Sequence, residues 1–151
     1  MKKRLTVRLA VLGIFIKRKK ILLLRRFNTG WRDGEYTLPA GHLEKGETIA
    51  KAMSRESFEE TGLKIFPSDF TLVHTMLVGV NKKDKNDHDY LYFFLQAKKW
   101  DGTFLVREAD KCDRIDWFPV KNLPKNILPH ISKAVDCINK GIFFSEINWT
   151  I

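Results

Sequence analysis

Between Gly41 and Leu63 the chain reads GHLEKGETIAKAMSRESFEETGL, and Glu56, Glu59 and Glu60 stand three and four positions apart within it. On an α-helix that spacing puts three carboxylates on one face. Their repulsion costs only tenths of a kcal/mol per exposed pair, so a solvated acidic face is one reading. Clustered hard oxygen donors are also what Mg²⁺ coordinates, so a metal site is the other. Both need a helix over 48–61. Thr48 is suited to cap its N-terminus, and Gly62 to the left-handed position just past its end.

The neighbouring residues separate the two readings. Gly41, Glu47, Arg55-Glu56, Glu59-Glu60, Gly62 and the apolar Leu63 resemble the Nudix box, G-x5-E-x7-R-E-U-x-E-E-x-G-U, where U is apolar. Ser57 departs from it, standing where an aliphatic residue is usual. Leu38-Pro39-Ala40-Gly41 is similar to the short strand and turn that enters the box in this family. The resemblance implies an α/β fold, a mixed β-sheet sandwiched between helices (an α/β/α sandwich). It also implies hydrolysis of a nucleoside diphosphate linked to another group, dependent on Mg²⁺ with Mn²⁺ as a substitute. By the same resemblance Glu56, Glu59, Glu60 and the Ala40 carbonyl are expected as metal ligands. Glu47 and Arg55 are expected to pair, bracing the loop and orienting Glu56.

Three further expectations concern the rest of the cleft. The proton acceptor is Glu59, Glu60 or a loop acid, with Glu108 the candidate ahead of Asp110 and Asp113. Arg25 and Arg26 close a strand where the family often places a substrate contact, although two solvated strand-end charges fit the sequence equally. Trp31, in the turn-rich loop 27–35, is either a platform for a nucleobase or a lid over the core.

The chain of 151 residues suits a single domain, 1–151, and carries 27 Lys+Arg against 18 Asp+Glu. The resulting +9 attracts polyanions without choosing among nucleotide, RNA and anionic membrane. Cys112 and Cys137 lack metal-ligand spacing and fit reduced thiols in a cytoplasmic protein. The N-terminal run imitates a signal peptide, but Arg8 interrupts it, no cleavage site follows, and it is too short to span a bilayer.

Residues 5–16 are expected as a strand, with a hairpin across the basic tetrad 17–20 into Ile21–Leu24. Further strands are expected at Tyr36–Leu38, Leu63–Phe66, Phe70–Val80, Tyr90–Ala97 and Thr103–Val106, with a polar loop at 81–89. Ile131, Ala134, Val135 and Ile138 predict a second helix on the sheet face opposite the first. The tail 142–151 is open between a strand, a packed extension and a dimer contact. His42, His74, His88 and His130 read as packed or hydrogen-bonded side chains.

The leading expectation is a (deoxy)nucleoside triphosphate cleaved to monophosphate and pyrophosphate by a monomer or homodimer. ADP-ribose, nucleotide sugars, dinucleoside polyphosphates and capped RNA use the same box. Two readings of another class stay open: a catalytically silent nucleotide- or RNA-binding module, and a basic RNA-binding protein whose acidic helix is incidental.

Overall fold

Alternation along the first strand, β1 (Arg8–Ile14), decides the architecture. Val11 faces one core while Leu12 and Ile14 face another, so this strand needs cover on both sides. The computed structural model describes residues 1–79 and 88–148. Most of the expected 81–89 loop lies outside them.

The hairpin across the basic tetrad joins β2 (Ile16–Lys17) to β3 (Lys20–Arg26). Its turn has no glycine, so Arg18 and Lys19 themselves take φ of 51° and 61°. Positive φ at both central residues matches the twist of two-residue hairpins. Strands β4 (Tyr36–Thr37) and β5 (Ala40–His42) lead into helix α1 (Ile49–Thr61). Then follow β6 (Phe70–Val78), β7 (Tyr90–Ala97), β8 (Cys112–Pro119), helix α2 (Pro129–Asn139) and β9 (Phe144–Ile147).

Five strands form a mixed sheet in the order β5-β1-β7-β6-β9, parallel at β1/β7 and β6/β9. A second sheet is built on β3, which pairs with β2, β4 and β8. Ala52 and Met53 of α1 pack with Val11, Phe15 and Leu95. On the opposite face Ile131, Ala134 and Val135 of α2 pack with Leu12, Met76 and Phe94. This is the α/β/α sandwich. Met53 is wholly buried, and truncating such a side chain costs about 2–5 kcal/mol, so the box helix is seated by its apolar face.

Two expected strands do not form. Leu63 and Ile65 bury their side chains beneath α1, and the Ile65 carbonyl accepts the Ser54 hydroxyl. Near Thr103–Val106 the chain gives its N–H groups to the end of α1, from Leu105 to the Thr61 carbonyl and from Arg107 to that of Glu60. Alternating apolar residues in both segments serve a helix end, not a ladder. The tail supplies β9, parallel to β6. Buried His74 holds it, with ring nitrogens 2.8 Å from the Ile142 carbonyl and from Ser145 Oγ.

Candidate active site

Helix α1 begins and ends as its sequence requires. Thr48 Oγ1 accepts the Lys51 N–H at 3.2 Å, and Gly62 takes φ 78°. These fixed ends present Glu56, Glu59 and Glu60 towards strand β5, in a cleft of about 870 Å³ that they line together with Ala40 and Glu108. A smaller depression between residues 3–8 and His88–Asp89 contains none of the box residues.

Arg55 is the hub. Its Nε and Nη2 donate to Glu47 at 2.7 and 3.0 Å, a bidentate pair, and Nη2 also donates to the His42 carbonyl at 3.0 Å. Nη1 reaches Glu56 at 2.6 Å and Glu59 at 3.3 Å. The guanidinium and the Glu44 N–H hold the Glu47 carboxyl down to a pKa of about 2. Glu47 and Arg55 thus tie the entry loop to the helix.

Glu60 is the most enclosed acid among the described residues. It accepts the Ala40 N–H at 2.9 Å. Burial, with Glu56, Glu108 and Glu59 adding repulsion, pushes its pKa well above the ordinary carboxylate value. Burial also raises Glu56, against the pull of Arg55. Gly41 makes this packing feasible, because a β-carbon there would lie 1.9 Å from Glu56 Cδ. Ser57 is fully buried and returns its hydroxyl to the Met53 carbonyl at 2.7 Å, so the departure from the box pattern leaves no polar group unsatisfied.

As they stand, no three acidic, histidine or cysteine side chains among the described residues converge on one point for an ion. Glu56 and Glu59 lean on Arg55 instead. The donor set still suits a hard divalent cation, being all carboxylate, with a buried member whose neighbours repel it. Ala40 offers its N–H to Glu60 and lies on β5 opposite Leu12.

Glu108 lines the cleft and acts electrostatically on both Glu56 and Glu60. Asp110 is exposed and Asp113 is engaged elsewhere. Its partner is Arg25, which bonds both carboxylate oxygens at 2.8 and 2.7 Å. Arg26 donates to the Trp31 carbonyl and to Thr29, with its guanidinium 4.8 Å from the centre of the Trp31 ring. Trp31 packs on the core and also lines the cleft, with Arg32 over its ring at 5.8 Å. Tyr92, which the sequence did not single out, stacks at 5.0 Å in the same cleft on His130, expected as a packed side chain. The Pro129 that opens α2 was the available signal, since it places the next residue at a helix mouth.

Residues 6–136 match the family model of the NUDIX domain. A Methanocaldococcus jannaschii protein named ADP-ribose pyrophosphatase is 32% identical over 121 residues, covering 80% of this chain and 67% of its own. Human 8-oxo-dGDP phosphatase NUDT18 is 30% identical over 123 residues, 80% of this chain but only 35% of that protein. A MutT NUDIX hydrolase from Burkholderia pseudomallei superposes with a TM-score of 0.76 at 22% identity, over 87% of this chain and 97% of the other. A Francisella tularensis bifunctional NMN adenylyltransferase/ADP ribose pyrophosphatase, solved with AMP and a manganese ion, superposes at 0.68 with 19% identity, over 93% and 43%. With its box, its fold and these relatives in agreement, the chain belongs to the Nudix family of hydrolases.

Proposed function

We propose that the chain, as one domain, cleaves a phosphoanhydride bond in a nucleoside diphosphate derivative. The leading substrate is a nucleoside triphosphate, giving monophosphate and pyrophosphate. One observation carries this reading: a single cleft is lined both by the box carboxylates and by aromatic and guanidinium side chains, Trp31, Tyr90, Tyr92, Arg26 and Arg32 among them. Glu56, Glu59 and Glu60, with the Ala40 carbonyl, would hold Mg²⁺ or Mn²⁺. When bound there, the ion neutralises phosphate charge and makes water more acidic.

The chain's own groups do the rest. Arg55 and Glu47 fix Glu56. Glu59, whose side chain is 45% exposed, is the carboxylate best placed to take a proton from water, with Glu108 in the same cleft as the competing base. Arg26 meets phosphate or base, whereas Arg25 is held by Asp113 and positions the strand. A second reading, ADP-ribose as substrate, is favoured by the name of the M. jannaschii relative.

The test is a panel of triphosphates, ADP-ribose, nucleotide sugars and dinucleoside polyphosphates with Mg²⁺ or Mn²⁺ and a chelator control. Products are to be identified by ³¹P NMR. The expected result is metal-dependent monophosphate and pyrophosphate from a nucleoside triphosphate. Binding across the panel without any product would instead make the chain a nucleotide-binding module.

A further inference from the structure

We propose that Arg107 is a positioning residue for the reaction: its side chain fastens the loop that carries Glu108 to the C-terminal end of α1, and so holds Glu108 in the cleft with Glu56 and Glu60. The proposal rests on the hydrolytic reading above and deepens it by naming what places the loop acid. Helix α1 ends unfavourably. The last carbonyls of a helix carry a partial negative charge that favours cations. Here Glu59 and Glu60 stand in the last turn instead, and that turn has no basic residue of its own.

Arg107 brings the cation from 49 positions beyond Phe58. Its Nη1 donates to the Phe58 carbonyl at 3.2 Å, and the guanidinium lies 4.7 Å from the centre of the Phe58 ring. Its stem runs across Gly62, where an added β-carbon would come within 3.0 Å of Arg107 Cδ. The main chain adds two bonds, from the Arg107 N–H to the Glu60 carbonyl and from the Leu105 N–H to that of Thr61. One short segment thus engages the carbonyls of Phe58, Glu60 and Thr61, which the helix cannot satisfy along its own axis. The next residue, Glu108, lines the cleft, whereas Arg107 is not among the lining residues. On the other side the Glu108 carbonyl accepts the N–H groups of Lys111 and Cys112 at 2.9 Å, a turn that leads into β8. Lys111 Nζ, 3.7 Å from the Glu108 carboxylate, is an alternative partner, so the direction Glu108 faces depends on where its loop is held.

The test compares Arg107→Ala, Glu108→Gln and the double variant in the full chain, with Mg²⁺ and the panel substrate that wild type cleaves fastest. Arg107→Ala is expected to lower kcat by about 10- to 100-fold, the range for losing a group that orients an active-site ligand, with KM unchanged. In the Glu108→Gln background the same change should cost almost nothing further. Amide hydrogen exchange, read by NMR without metal or substrate, should quicken in Arg107→Ala at Leu105 and at position 107, while Ala52 and Met53 stay protected. Wild-type kcat in Arg107→Ala overturns the proposal. Wild-type kcat in Glu108→Gln also overturns it, and leaves the proton to Glu59. An equal further loss in the double variant, or loss of protection at Ala52 and Met53, refutes it as well, since either marks a merely structural role. Wild type that cleaves nothing in the panel rejects the hydrolytic reading, and the exchange pattern alone then decides whether Arg107 fastens the loop.

Discussion

Replacing Gly41 by alanine separates a structural defect from a chemical one. The new β-carbon would sit 1.9 Å from Glu56 Cδ and 2.0 Å from Oε1. Carbon atoms pack at about 3.5–4.0 Å, so the carboxylate must retreat by roughly 1.5–2 Å. It is the far end of a flexible side chain, and the backbone at Gly41 lies outside the left-handed region, so the chain absorbs the methyl group without refolding. Alanine at a compatible position gains about 0.4–1 kcal/mol from the unfolded state. Weakening the Glu56–Arg55 contact gives back a similar amount, so stability should change by less than about 1 kcal/mol, or about 2–4 °C in Tm. If Glu56 holds the metal as proposed, a displacement that large costs on the order of 100-fold in kcat/KM, recoverable in part at high Mg²⁺. Initial rates against Mg²⁺ concentration, beside thermal unfolding, check both halves. In a Glu56→Ala background the same change should have almost no further effect. Activity within about threefold of wild type, or a large fall in Tm, would refute the claim that Gly41 exists to seat Glu56.

Separate Glu59→Gln and Glu60→Gln variants should each lose turnover by about 100-fold or more while keeping the fold, read by rates and circular dichroism. Glu60 has a raised folded-state pKa, so its contribution to stability is complete below the ordinary carboxylate pKa and is lost as pH rises through the elevated one. Without metal, Glu60→Gln should therefore match wild type near about pH 4 and exceed it in Tm near about pH 8, whereas Mg²⁺ should stabilise wild type more. Arg55→Ala strands the Glu47 and Glu56 carboxylates, and denaturant unfolding should show a loss of about 2–3 kcal/mol. Ser57→Ala should stay within about 1 kcal/mol of wild type, because the hydroxyl serves only the Met53 carbonyl of its own helix.

The acidic helix was legible because its determinants are local: Thr48 and Gly62 bound it, and Glu56, Glu59 and Glu60 share its face whatever the rest of the chain does. The pairing of Glu47 with Arg55 was expected from the box and is present at 2.7 Å. Leu63–Phe66 and Thr103–Val106 were misread because period-two alternation reports which side chains are buried, not where backbone N–H groups go. Arg25 and Asp113 are 88 positions apart and meet only through the β3/β8 register. His130 gains its place from Tyr92 on another element, a contact that no spacing within α2 encodes.

The family match ends at residue 136, before β9 begins at Phe144. Strand β9 nevertheless seals the outer edge of β6, and His74 has bonded partners in this segment. A fragment cut at the homology boundary would carry every box residue and yet open a row of unpaired backbone groups along β6, inviting strand addition between molecules. It would also remove both hydrogen-bond partners of the His74 imidazole. Residues outside the family match thus cover this sheet edge, and the boundaries of a shortened chain have to be drawn from the sheet rather than from the family match.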